Sequence, residues 1–360
     1  MFLSKLQLLP GWLRWPLLVT GGFSAFLVSA LYLLQEKIIY VPRIPGLPRQ
    51  YIAKPLEYDM DHRDVWCAYL NTPPLRSLTR SLTGSPTRIE TSDGVKLHAW
   101  LVHKKNMDQA QVNELPYVIF LQENAGNMSH RLHWLRALVH ILNCKCVILQ
   151  YRGYGESQGT PSEVGLQRDV DALMDWVTSR PDYAAKRTLL FGRSLGGAVA
   201  IYAAVQHKGA YKAMVVENTF TSIEAMAGVA FPPLRLLVGE GKWFNWLVRW
   251  VFELSRLSLS LSLSHTHTIA LRSFARNKWR SIERIGKLKD VPILFLVSLA
   301  DEIVHPGQMQ KLFVAGGGSA NEAWRLCEFA EARHMDAYHT HAPLYWPEVK
   351  RFYDEQMSMS

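Results

Sequence analysis

Between Tyr117 and Val297 short apolar runs alternate with stretches of helical periodicity, and that alternation restricts the possible folds more than any other feature of the chain. The runs are Tyr117–Leu121, Lys145–Gln150, Thr188–Phe191, Ala213–Val216 and Pro292–Val297. Helical patterns fall at Val164–Val177, Leu195–Gln206 and Gly307–Phe313. Strands this short and apolar are buried on both faces, so they belong to a parallel sheet covered by helices. Ahead of them, Thr87–Glu90 and Lys96–His103 flank Ser92-Asp93-Gly94, a hairpin with a turn signal that adds antiparallel strands at one edge. A late strand, Trp324–Phe329, precedes a final helix expected to end near Tyr353. The fold class is therefore α/β, with the regular domain expected over residues 85–356.

One strand-to-helix junction carries chemistry. Gly192-Arg193-Ser194-Leu195-Gly196-Gly197 directly follows the run Thr188–Phe191 and opens a helix through Ala198, Ala200 and Ala203. A serine between glycines at such a junction forms a nucleophile elbow, with its hydroxyl exposed at the carboxyl end of the sheet above a helix N-terminus. The bland alternative, a glycine-rich turn, does not require the strand before it and the helix after it. A serine nucleophile needs a base, and the base an orienting carboxylate, in the chain order Ser, Asp or Glu, His. Asp301 follows the run ending at Val297 and is the expected acid, with the adjacent Glu302 as competitor. His334, just past Trp324–Phe329, is the expected base; among the 13 histidines, His305, His339 and His341 read as solvated or supporting side chains. An oxyanion hole needs two backbone N–H groups. Leu195 supplies one, and the loop Gln122–Asn127 the other, through Asn124 with Glu123 as the alternative. Asn127-Met128-Ser129 matches a glycosylation acceptor, but a glycan there would block the site, so the asparagine is expected to be unmodified.

The amino-terminal end has a different character. Pro16 to Leu34 is a stretch of 19 residues without a charge, with Trp12, Trp15 and Tyr32 near its ends. It has the length and aromatic ends of a membrane-spanning helix, and its exit lacks the small-x-small pattern of a signal-peptidase site. Residues 1–37 therefore read as a single-pass anchor, with the endoplasmic reticulum or another endomembrane as its expected location. Lys5 and Arg14 before the span nearly balance Lys37, Arg43 and Arg49 after it, so orientation stays open, with a lean towards a lumenal domain. Residues 38–84, rich in Pro and Arg, read as a stalk and lead-in. The formal charge of +9 is scattered rather than grouped with aromatics, which disfavours nucleic acid and suits a membrane surface. No cysteine spacing resembles a zinc site, so Cys67, Cys144, Cys146 and Cys327 read as free thiols.

A cap region is expected at about 222–284, its Trp- and Leu-rich stretch Lys242–Trp250 suited to a helical cover. Within it, residues 251–271 hold the two-residue repeat LSLSLSLSHTHT, which reads as a translated dinucleotide repeat without selected structure; His265 and His267 are not metal ligands on that reading.

With these residues in hand, Thr87 to Tyr353 resembles the α/β-hydrolase superfamily. Within it, the chain resembles the membrane-anchored fungal and animal branch linked to bud-emergence suppressors (BEM46-like). The likeness is carried by Tyr151-Arg152-Gly153-Tyr154-Gly155-Glu156-Ser157-Gln158-Gly159, Pro161-Ser162-Glu163, Asn124-Ala125-Gly126-Asn127 and Asn277-Lys278-Trp279-Arg280-Ser281. It implies Ser194, Asp301 and His334 as the triad. The chain departs from its relatives at Gln122-Glu123, where they usually carry His-Gly, and the insertion has no counterpart among them. The expected activity is hydrolysis of an ester, thioester or amide through an acyl-enzyme, without metal or organic cofactor. The expected partners are the bilayer and a small-molecule, lipid or acylated-protein substrate. A peptidase-like activity is compatible with the same residues, and a non-catalytic membrane scaffold is the rival from another class.

Overall fold

The computed structural model describes residues 33–49, 53–65, 89–230 and 276–358, with residues 10, 12, 15 and 19 as isolated positions before them. The apolar stretch 16–34 lies almost wholly outside these residues, as do the repeat at 251–271 and most of the expected cap. Among the described residues no helix is long and apolar enough to cross a membrane.

The strands are β1 (Met60–Val65), β2 (Ile89–Glu90), β3 (Lys96–Lys104), β4 (Tyr117–Leu121), β5 (Lys145–Gln150), β6 (Thr188–Arg193), β7 (Ala213–Glu217), β8 (Ile293–Ser298) and β9 (Trp324–Phe329). They form one sheet in the order β1-β3-β5-β4-β6-β7-β8-β9, with β2 paired to β3. From β5 to β9 every pairing is parallel, while β1, β2 and β5 run antiparallel to β3. The parallel sheet with an antiparallel edge is the α/β architecture expected from the sequence. The segment expected as a lead-in does more than cross to the domain, since Met60–Val65 forms the edge strand, in register from Met60↔Lys104 to Val65↔Ala99. Its sequence, MDHRDV, carries too few apolar positions to show a strand period. An edge strand needs to bury only part of itself, here Met60 and Val65.

β4 through β8 are buried along their whole lengths, their centres apolar and their buried polar residues confined to the strand ends. On one face Phe120, Phe191 and Trp134 stack with ring centroids 4.3 to 5.9 Å apart, and Trp346 from the final helix joins them. That helix, Ala342–Ser358, runs past the expected end at Tyr353 and is preceded by a separate short turn of helix, Ala337–Thr340. On the other face helix Glu163–Thr178 packs against helix Leu195–Gln206, whose small side chains allow close approach to the strands. Cys144, Cys146 and Cys327 are free thiols, as expected; Cys67 lies outside the described residues.

The chain divides into two compact units: Tyr40–Ser222 with Trp279–Ser360, which holds the sheet, and Met1–Ile39 with Ile223–Lys278. Within the second, residues 33–39 are helical and Glu36 pairs with Arg276 at 2.7 Å.

Candidate active site

The carboxyl ends of β6, β7 and β8 and the loop after β9 bring together the three residues singled out from the sequence. β6 ends at Arg193 and the helix begins at Leu195, leaving Ser194 at φ 53°, ψ −121° between them. A non-glycine residue in that region costs on the order of 1–3 kcal/mol and is held only where its surroundings over-determine it. The surroundings do so here: Ser194 N donates to Glu217 O (2.9 Å), and Thr219 Oγ1 donates to Ser194 O (2.7 Å). The glycines make room for the turn, since a Cβ on Gly196 would stand 1.8 Å from Leu121 O.

His334 Nε2 lies 3.0 Å from Ser194 Oγ, and its Nδ1 lies 2.7 Å from Asp301 Oδ2. A carboxylate only accepts hydrogen bonds, so Nδ1 carries the proton towards Asp301 and Nε2 presents its lone pair to the serine hydroxyl. The Asp301 and His334 side chains are 1% and 4% exposed, which strengthens their interaction by excluding water. Asp301 Oδ1 accepts the N–H groups of Ile303 (2.8 Å) and Val304 (2.7 Å), which fixes the plane of the carboxylate. Glu302, the competing acid, takes the main-chain N–H of His334 at 3.2 Å and does not reach its ring.

The other three histidines lie apart from this chain of hydrogen bonds: His305 Nδ1 accepts from Gly307 N, His341 contacts Thr340 and Phe329, and His339 is exposed. Leu195 opens its helix, so its N–H belongs to the amides without an intrahelical partner. Asn127 is buried, with Nδ2 donated to Arg49 O, so the glycosylation acceptor is inaccessible in the folded chain.

Two positioning residues escaped the sequence reading. Asn218, in the left-handed region at φ 47°, donates from Nδ2 to His334 O (2.9 Å) and to Ser298 Oγ (2.9 Å) and accepts from Ser298 N (2.8 Å). With Thr219 beside it, one dipeptide at the end of β7 holds the main chain of both Ser194 and His334. Their partners stand 25 and 116 residues away, beyond any local pattern.

Behind the serine lies a buried ionic network. Arg193, 1% exposed, donates from Nε to Glu217 Oε2 (2.8 Å) and from Nη1 to Glu123 Oε1 (2.8 Å), and its guanidinium sits 4.8 Å from the Trp134 ring centroid. Arg131 Nε holds the second oxygen of Glu123 at 2.7 Å. Tyr345 Oη donates to Glu217 Oε2 at 2.8 Å. The departure at Gln122-Glu123 thus has a structural partner: the Glu123 side chain turns inward to Arg193. Burial raises both carboxyls, but Glu123 faces two guanidiniums that overcome it and bring its pKa to about 2, whereas for Glu217 burial outweighs a single guanidinium and the pKa rises. The depressed Glu123 carboxylate contributes stability above its ordinary pKa of 4.5 and loses it as pH falls towards 2. Glu123→Gln is accordingly expected to be less stable than the wild type at neutral pH. The difference should shrink on acidification, as read from the Tm of both proteins across that range.

Comparison with known proteins identifies the family. Residues 122–336 match the family described as Hydrolase_4: Serine aminopeptidase, S33. The alpha/beta hydrolase domain-containing protein WAV2 of Arabidopsis thaliana is 34% identical over 93% of each chain. The chain belongs to the α/β-hydrolases, in their BEM46-like branch. Protein bem46 of Schizosaccharomyces pombe is 28% identical to this hydrolase, over 85% of this chain and 82% of its own. In fold, the hydrolase resembles the Pyrococcus furiosus esterase Pf2001, with a TM-score of 0.58, 17% identity, and coverage of 89% of this chain and 100% of that one.

Proposed function

We propose that this α/β-hydrolase is a serine hydrolase that cleaves an ester, thioester or amide through an acyl-enzyme. The reading rests on one observation, the continuous path of hydrogen bonds from Asp301 through His334 to Ser194 at the elbow. Ser194 Oγ attacks the carbonyl carbon while its proton passes to His334 Nε2. Charge collects on the carbonyl oxygen, which the N–H groups of Leu195 and Asn124 receive. When the tetrahedral intermediate collapses, the bond to the leaving group breaks, and His334 returns the proton to that group. A water then gives a proton to His334 and its oxygen to the acyl carbon; the second collapse frees the acid and restores Ser194. Asp301 stays ionised throughout and stabilises the imidazolium.

The substrate we propose is a lipid ester or acylated protein at a membrane surface. Leu299, Ile303 and Met335, next to the acid and base in sequence, are 39%, 52% and 39% exposed and offer apolar contact for an acyl chain. The uncharged stretch 16–34 supports a single-pass anchor in the endoplasmic reticulum or another endomembrane. The family description favours a second reading, aminopeptidase-like cleavage by the same residues.

The test is labelling of the detergent-extracted chain with a fluorophosphonate, alongside Ser194→Ala and a heat-denatured sample. Labelling of the folded wild type alone is expected, followed by turnover of acyl esters in preference to aminoacyl amides. A folded wild type that takes no label would sink the reading in favour of a non-catalytic membrane scaffold. Preference for the amides would favour the peptidase.

A further inference from the structure

The motifs that carry the family likeness outside the triad meet at one place, beneath residues 40–49. Tyr40 is buried and its hydroxyl accepts from Trp279 Nε1 at 3.0 Å; Trp279 N in turn donates to Glu163 Oε2 at 2.8 Å. Val41 forms a parallel bridge with Ala125 and accepts Gly126 N at 3.1 Å. Its own N–H is donated to Asn124 Oδ1 at 3.2 Å. Ile44 lies on Gly126, where a Cβ would come within 2.8 Å of Ile44 Cδ1, so the glycine at φ +76° lets the segment lie flat on the loop. At the far end Arg49 O accepts Asn127 Nδ2 (3.1 Å), while the Arg49 side chain donates to Gly155 O (2.7 Å) and Ser157 O (3.2 Å). Residues 40–49 thus run along the whole of the loop Asn124–Asn127.

Asn124 is where this segment meets the chemistry. Its amide oxygen accepts Val41 N from the segment and Tyr154 Oη (2.7 Å) from the turn after β5, which fills both lone pairs. An oxyanion donor acts only when held within about 0.5 Å of its place, and a loop does not supply that precision unaided. We propose that residues 40–49 are a positioning strap that, with Tyr154, clamps the Asn124 side chain and so sets its main-chain N–H against the oxyanion formed at Ser194. The proposal rests on the hydrolase reading above and assigns a role to residues that read from sequence as the start of a stalk.

The test uses the full-length chain in detergent. Val41→Pro removes the N–H given to Asn124, and Tyr154→Phe removes the other donor while keeping the ring, so it carries the test should Val41→Pro fail to fold. We measure kcat and KM for a short-chain p-nitrophenyl ester and the fluorophosphonate labelling rate of Ser194. Each variant is expected to lower kcat and labelling about tenfold with KM within about twofold, part of the ~10²–10³ that loss of one oxyanion donor costs. In an Asn124→Ala background neither change should lower kcat further, because the side chain through which they act is gone. Val314→Ser, on an exposed helical position, should retain wild-type kcat. Wild-type kcat in Val41→Pro and Tyr154→Phe alike, or undiminished losses in the Asn124→Ala background, would overturn the strap while the labelled wild type upholds the hydrolase. A folded wild type that takes no label would overturn both.

Discussion

Asp301→Asn is expected to lower kcat by about 10⁴-fold with little change in KM or stability. The size of the loss follows from how the carboxylate is held. Asp301 Oδ1 accepts two main-chain N–H groups, from Ile303 and Val304, and only an oxygen can occupy that position. The asparagine amide must therefore turn its nitrogen to the place of Oδ2, 2.7 Å from His334 Nδ1. Facing a donor, Nδ1 becomes the acceptor and the ring proton moves to Nε2, where it cannot take a proton from Ser194 Oγ. Steady-state kinetics on a p-nitrophenyl ester, with fluorophosphonate labelling as a second readout, decides the point. Glu302→Gln is the comparison: its carboxylate takes the main-chain N–H of His334 and lies 3.8 Å from Arg333 Nε, not on the imidazole, so its expected loss is below about tenfold. A larger loss from Glu302→Gln than from Asp301→Asn would transfer the acid role to Glu302.

Arg193→Met should destabilise the fold by about 3–5 kcal/mol, the usual consequence of removing one partner from a buried ion pair. For a domain of this size the loss corresponds to a fall in Tm of about 10 °C, measured by tryptophan fluorescence in detergent. Methionine fills much of the same volume beside Trp134 but leaves Glu217 without its guanidinium and Glu123 with Arg131 alone. Adding Glu217→Gln to the same chain should recover most of the loss, because the cost lies in burying the Glu217 carboxylate without its counter-charge, while Glu123 keeps Arg131, and not in the missing methylenes. A double variant no more stable than Arg193→Met would instead place the cost in packing against Trp134.

The strands β4 to β8 were legible because each is buried on both faces and keeps a continuous apolar centre, with polar residues only at the ends; β1 was not, because an edge strand buries two of six residues and its sequence shows no period. The elbow was legible because tight turning demands glycine beside the serine, a constraint written within six residues. Chain order alone then brought Asp301 and His334 into consideration, since each follows the strand that delivers it to the site.

Folding settled matters that depend on residues meeting across the chain. Asp301 and Glu302 are chemically alike and adjacent; only the loop geometry turns one towards the imidazole and the other towards a main-chain amide. Asn218 and Thr219 hold the main chain of His334 and Ser194 from far away in sequence, and Glu123 finds Arg193 across 70 residues. Local propensity and periodicity reflect interactions within a few residues, so they encode strands, helices and the turn that presents Ser194. The hydrogen bonds and ion pairs that orient this serine join side chains whose proximity exists only once the sheet has closed, and that proximity is what the tertiary structure adds.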